Sequence, residues 1–72
     1  LSRLYILYGN YYKDMGNIDS PKQIDYLRGS AMMYEKASEL ILKETRNGYV
    51  RNELYYRKEQ LINFCQNKKI QL

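Results

Sequence analysis

The chain of 72 residues is 44% hydrophobic and 28% charged, which is typical of one small globular domain. It contains no histidine and one cysteine. An internal disulfide is therefore excluded, and the usual histidine and cysteine ligands of metal sites are missing. No apolar run approaches the ~20 residues of a membrane span. We expect a cytoplasmic protein that does not bind a membrane, a metal or a cofactor. We also expect that it is not an enzyme, since the sequence nominates no acid–base or nucleophile–base pair.

The net charge of +4 is concentrated in the last third of the chain. Residues 1–45 carry six basic and six acidic side chains, whereas residues 46–72 carry six basic and two acidic ones. Clustered lysine and arginine attract nucleic acid or acidic peptides. We therefore consider Arg51, Arg57 and Lys58 as a candidate basic surface, because they lie among tyrosines that could stack on bases.

The first predicted helix covers residues 2–15. Leu4, Tyr5, Tyr8 and Tyr12 recur at spacings of three and four, which places them along one side of a helix. Gly16 follows, at a position where many helices end with a left-handed glycine. The pattern predicts an amphipathic helix that stops at this glycine.

The second predicted helix covers residues 21–45. Residues 20–23 (SPKQ) have the form of a capping box, with Ser20 as the cap and Gln23 reaching back to it. Apolar residues then recur at helical spacing until residues 47–48 (NG), which predict the end of the helix. Gly29 marks either a close-packing point or a break into two helices. We expect one continuous helix.

The third predicted helix covers residues 49–68. The expected apolar face of this helix comprises Val50, Leu54, Leu61, Ile62 and Cys65, and Cys65 is expected to be an inert core thiol. No segment shows strand alternation, so the fold class is all-α. We expect a single helical domain over residues 1–72, with a helix pair in 1–45 and a capping helix in 49–68. Because the chain begins at Leu1, we also expect it to be a fragment of a longer protein.

Two segments resemble the pattern of a tetratricopeptide repeat. They are Tyr5-x-x-Tyr8-Gly9-x-x-Tyr12 in the first helix and Ser30-x-x-x-Tyr34-x-x-Ala37 in the second. The resemblance implies a helical hairpin in which Gly9 faces Ala37 at the crossing. Ser30 replaces the usual alanine, and additional residues precede it. These residues predict a second helix that begins early and projects beyond the first.

Long tetratricopeptide-like helices in a chain rich in tyrosine and lysine resemble the C-terminal repeats of Gram-positive peptide-pheromone receptors. That resemblance implies a protein- or peptide-interaction module, the peptide-sensing or dimerisation part of a transcriptional regulator in quorum sensing. The candidate peptide-binding residues are Asn10, whose amide offers both donor and acceptor, and Tyr11. Ile6 stands where carboxylate-binding members have lysine, which argues against a clamp for a terminal carboxylate.

Two alternatives to the peptide-binding module are retained. The first is a nucleic-acid-binding helical domain that uses the basic third helix. The second is a freestanding three-helix bundle that resembles the microtubule-interacting-and-trafficking type. For assembly we expect a homodimer or packing against upstream repeats, because the second helix is apolar around nearly half its circumference.

Overall fold

The computed structural model describes residues 1–44 and 48–72 and is 90% helical. Helix α1 comprises Ser2–Ile18, a 3₁₀ turn comprises Ser20–Lys22, α2 comprises Gln23–Glu44 and α3 comprises Gly48–Asn67. The described residues contain no strand, which confirms the predicted all-α fold with three helices. The predicted end of α2 near residues 45–47 lies outside them. None of the described helices combines the length and the hydrophobicity of a transmembrane segment.

Helices α1 and α2 form an antiparallel hairpin in which glycines of α1 face large side chains of α2. A Cβ atom at Gly9 would overlap the ring of Tyr34, and one at Gly16 would lie 3.1 Å from Leu27 Cδ2. Gln23 Nε2 also donates a hydrogen bond to the Gly16 carbonyl at 3.0 Å. The predicted projection of the second helix beyond the first is wrong, because α1 is long enough to cover the first turn of α2.

Gly16 lies inside α1 rather than at its end. The helix continues to Ile18, and no described glycine has a positive φ. The Asp19 amide closes the helix by donating to the Met15 carbonyl at 2.9 Å. The predicted stop at Gly16 is therefore wrong. The absent side chain makes room for Leu27 of the neighbouring helix instead of permitting a left-handed turn.

The start of the second helical segment is capped by Asp19 and not by Ser20. Asp19 Oδ1 accepts a hydrogen bond from the Lys22 amide at 3.3 Å, while Ser20 is exposed. Gln23, the expected capping-box partner, is bonded to α1. The difference arises because a 3₁₀ turn precedes α2, so the capping position moves one residue towards the N-terminus.

The closest approach of the hairpin brings Gly9 against Ser30 and Tyr34, and not against Ala37. Ser30 is fully buried, and its Oγ donates to the Gly9 carbonyl at 2.7 Å. The three atoms nearest to a Cβ at Gly9 all belong to the Tyr34 ring. Ala37 is buried one turn further along α2. The expected Gly9–Ala37 crossing is therefore shifted by about one helical turn.

Helix α3 closes the core with Leu54, Leu61 and Cys65, all buried. Cys65 is thus buried as predicted. After α3 the Ile70 amide donates to the Cys65 carbonyl at 2.8 Å, and the Lys69 amide donates to the Gln66 carbonyl at 3.1 Å. Lys69 has a φ of 56°, so these bonds form a Schellman motif with a lysine at the position that glycine usually holds. Ile70 packs against the core.

The apolar face of α2 is better covered than expected. The expected apolar face comprises Ile24, Leu27, Met33, Tyr34, Ala37, Leu40 and Ile41. Of these only Ile24 is exposed, while Leu27, Tyr34, Ala37 and Ile41 are buried by α1 and α3. The expectation that α2 leaves a broad apolar face uncovered is therefore wrong. Helix α2 lies at the centre of the fold, so both of its neighbours contribute to its burial.

Candidate functional site

A groove of about 610 Å³ lies between α2 and α3. Seven apolar side chains line it: Ala31, Tyr34, Leu42, Leu61, Ile62, Cys65 and Leu72. Tyr34, Leu61 and Cys65 are buried and belong to the core. Leu42 and Ile62 are exposed. The groove is therefore an opening onto the core, with additional apolar side chains at its edges.

The edge of the groove on α2 is acidic. Glu35 and Glu39 line it, one helical turn apart, and both are exposed. Neither forms an ion pair with a described side chain. Lys58 extends from α3 towards the same helix, and its Nζ donates a hydrogen bond to Ser38 Oγ of α2 at 3.5 Å. The charged lining of the groove thus comprises two carboxylates on α2 and one ammonium group from α3 that lies against α2.

The groove is long enough for about two to three turns of a bound helix. Its lining residues extend from Ala31 to Leu42 on α2 and from Lys58 to Gln66 on α3. At 1.5 Å per residue these stretches measure roughly 12 to 16 Å. The volume also lies within the ~300–1,000 Å³ of ligand pockets.

Two buried titratable side chains that line the groove, Cys65 and Tyr34, have raised pKa values. Burial raises the pKa of the Cys65 thiol, partly opposed by the charge of Lys13, so the thiol stays protonated. Burial also raises the pKa of the Tyr34 hydroxyl, which donates to Asn10 Oδ1 at 2.6 Å. Both side chains therefore present neutral surfaces to whatever occupies the groove.

The candidate peptide-binding residues Asn10 and Tyr11 lie on α1 and do not line this groove. The side-chain oxygen Oδ1 of Asn10 accepts a hydrogen bond from the Tyr34 hydroxyl. Of the two side-chain groups that could bind a peptide backbone, the oxygen and the NH₂, the oxygen therefore has a partner within the fold. Tyr11 is exposed and contacts the Tyr12 ring edge to face at 5.8 Å. The structure keeps these two residues apart from the α2–α3 groove.

The three candidate basic residues differ in their partners. Arg57 Nε pairs with Glu53 Oε1 at 3.0 Å, and its guanidinium lies 5.7 Å from the centre of the Tyr56 ring. Lys58 lies at the groove, and Arg51 is exposed one heptad earlier on α3. Arg57 is thus partly neutralised, whereas Arg51 and Lys58 lie on the same side of α3 and form no ion pair with a described side chain.

The groove itself was missed by the sequence argument, although a signal for it exists. Ile41-Leu42 and Leu61-Ile62 are adjacent apolar pairs, and neighbours in a helix cannot both face the same core. Ile41 and Leu61 are buried, whereas their neighbours Leu42 and Ile62 are exposed at the groove. Comparison of the chain with protein-family models, curated proteins and solved structures finds no match. The function is therefore argued from this geometry.

Proposed function

We propose that the chain is a protein-interaction module of helical-repeat type that binds an amphipathic peptide helix in the α2–α3 groove. The observation that carries the proposal is the elongated apolar groove with unpaired carboxylates along one edge. A peptide-sensing or dimerisation role in a bacterial transcriptional regulator is the form of this function that the tetratricopeptide-like pattern favours.

The lining of the groove indicates a peptide rather than a small polar ligand. Pockets for small molecules usually combine an apolar wall with a few convergent polar groups. Here four of the five polar lining residues are exposed to solvent (Glu35, Glu39, Lys58 and Gln66), and the half-buried Ser38 accepts a hydrogen bond from Lys58. A groove between two helices that is apolar in its floor and charged at its edges suits the apolar face of a third helix.

The charges define the partner further. A peptide with apolar residues at i, i+3 or i+4, and i+7 would place them against Leu61, Ile62 and Leu42. Lysine or arginine beside these residues would face Glu35 and Glu39. The same two carboxylates would repel the phosphates of a nucleic acid, and for this reason we favour the peptide over the nucleic-acid alternative.

Fluorescence anisotropy with a synthetic probe tests the proposal. The probe is a labelled helical peptide of roughly 15 residues with leucines at i, i+4 and i+7 and flanking lysines. Ile62→Glu should weaken its binding at least about tenfold, since a buried contact is replaced by a charge. Ile24→Glu is the matched control, because Ile62 and Ile24 are both 46% exposed and only Ile62 lines the groove.

A second peptide isolates the contribution of the acidic edge. It has glutamate in place of each flanking lysine and should bind more weakly than the first peptide. The double variant Glu35→Lys/Glu39→Lys should reverse this preference. Equal effects of Ile62→Glu and Ile24→Glu, or no saturable binding of the lysine peptide, would contradict the proposed function.

A further inference from the structure

The outer face of α1 carries an apolar seam that the hairpin and α3 do not cover. Its residues are spaced alternately by four and three positions: Leu4, Tyr8, Tyr11, Met15 and Ile18. Met15 is half-buried, and the other four side chains are exposed. Alternation of four and three over two heptads is the spacing of a coiled-coil seam.

This seam lies on the opposite side of α1 from the core. Ser2, Ile6, Gly9 and Gly16 are the buried positions of α1, and Ile6 belongs to the core cluster that α1 forms with α2 and α3. A shallow cavity of about 380 Å³ opens along the outer face and is lined by Leu4, Leu7, Tyr8, Tyr11 and Tyr12. Such a cavity between neighbouring side chains can receive a side chain from a facing helix.

The charged residues beside the seam are complementary to the same residues in a second copy of the chain. Arg3 stands near the start of α1 and Asp14 near its end, eleven positions apart and hence on the same flank of the helix. Neither forms an ion pair with a described side chain. In an antiparallel pair of α1 helices, Arg3 of each copy lies at the same end as Asp14 of the other copy. A parallel pair would instead place these flanks on opposite sides of the interface, so that no arginine would face an aspartate.

We propose that the seam binds a second copy of this chain, with the two α1 helices antiparallel across a two-fold axis. The same patch then serves both protomers, as a two-fold interface requires. Antiparallel helix dipoles favour the arrangement as well. The proposal concerns a different surface from the α2–α3 groove and stands independently of peptide binding.

Sedimentation equilibrium over a dilution series tests this dimer. The unmodified chain should show a dimer that dissociates on dilution, and Tyr11→Glu should raise the dissociation constant at least about tenfold. Tyr55→Glu is the matched control, because it makes the same change at an exposed tyrosine of α3, off the seam. Circular dichroism of each variant verifies that the helices are retained, and Leu4→Glu provides a second seam variant.

A charge exchange tests the orientation. Arg3→Asp alone should weaken the dimer, and the double variant Arg3→Asp/Asp14→Arg should restore it, because the exchange recreates opposite charges across the axis. A chain that stays monomeric at high concentration would overturn the proposal. So would equal effects of Tyr11→Glu and Tyr55→Glu, and a double variant without recovery would overturn the antiparallel arrangement.

Discussion

The two interfaces of α2 are built differently. Towards α1 it meets glycines. Three buried or half-buried hydrogen bonds between described residues cross the interface, from Ser30 to the Gly9 carbonyl, from Gln23 to the Gly16 carbonyl and from Tyr34 to Asn10 Oδ1. Towards α3 it meets the apolar anchors Leu54 and Leu61, and the space beside them remains open as the groove. The close interface is specified by small residues and polar partners, whereas the looser one depends on apolar contact.

This difference indicates which interface provides stability and which leaves room for binding. Glycine allows two helix backbones to approach, so van der Waals contact along α1 and α2 is extensive. The contact between α2 and α3 is less extensive, and it leaves lining that a partner can cover. The predictions below test this contrast by altering one interface at a time.

The largest expected effect comes from truncating leucines on the two sides of α2. Leu27→Ala should lower the free energy of unfolding by about 3 to 4 kcal/mol, because Leu27 is fully buried against Gly16 and its loss leaves an enclosed cavity. Leu61→Ala should lower the free energy of unfolding by only about 2 kcal/mol, since this residue already borders the open groove. Urea unfolding of both variants measures the difference. Equal losses would remove the distinction between the interfaces.

Overpacking at the hairpin crossing is the next effect. Gly9→Leu should destabilise the chain by about 3 kcal/mol, because even a Cβ would overlap the Tyr34 ring. Gly29→Ala is the control in the same hairpin. Its Cβ would lie 3.4 Å from Tyr12 Cγ, an ordinary contact, so the gain in helix propensity should stabilise by about 0.5 to 1 kcal/mol. Thermal melts that show the same sign for both variants would refute the proposed crossing.

Removing the Tyr34 hydroxyl tests the polar part of the close interface. At neutral pH Tyr34→Phe should cost about 1 kcal/mol, because Asn10 Oδ1 loses its donor. Burial raises the pKa of Tyr34, so the folded chain holds this proton more tightly than the unfolded chain does. The protonated Tyr34 hydroxyl therefore stabilises the folded chain fully below pH ~10, the ordinary tyrosine pKa, and this contribution is lost at higher pH.

The difference in stability between the unmodified chain and Tyr34→Phe should therefore narrow as the pH rises above about 10. Denaturant unfolding at neutral and alkaline pH measures it. Tyr55→Phe, at an exposed tyrosine of α3, serves as the control and should change little at either pH. A difference that stays constant with pH would mean that the Tyr34 hydroxyl is not protected in the folded state.

The smallest effect concerns the end of α3. Lys69→Gly should stabilise the chain by about 0.5 to 1 kcal/mol, because Lys69 occupies a left-handed conformation that glycine adopts more readily. Lys68→Gly, at the preceding residue with a negative φ, should give no such gain. Thermal melts of the two variants decide between these outcomes. A loss of stability in Lys69→Gly would argue that the lysine side chain matters more than its backbone conformation.

Periodic spacing of apolar residues predicted the three helices, because the sides of a helix are determined by local geometry. The predicted end of α1 at Gly16 is wrong, since this glycine looks identical in the sequence whether it terminates a helix or accommodates Leu27 of a neighbouring helix. The tetratricopeptide-like pattern implied that Asn10 binds a peptide, and in the structure the side-chain oxygen of that residue accepts a hydrogen bond from Tyr34. The partner stands 24 positions away, beyond the reach of a local pattern.

The sequence by itself determined the helical class, the continuity of α2 through Gly29 and the burial of Cys65. Each of these follows from periodicity or from the properties of one residue. The tertiary structure decided that Gly9 meets Ser30 and Tyr34, that α2 is covered on both sides, and that the exposed apolar surface lies on α1 and in the α2–α3 groove. The physical reason is that small and apolar residues permit close contact but do not specify the residue that they contact. The relative placement of whole helices decides which residues meet.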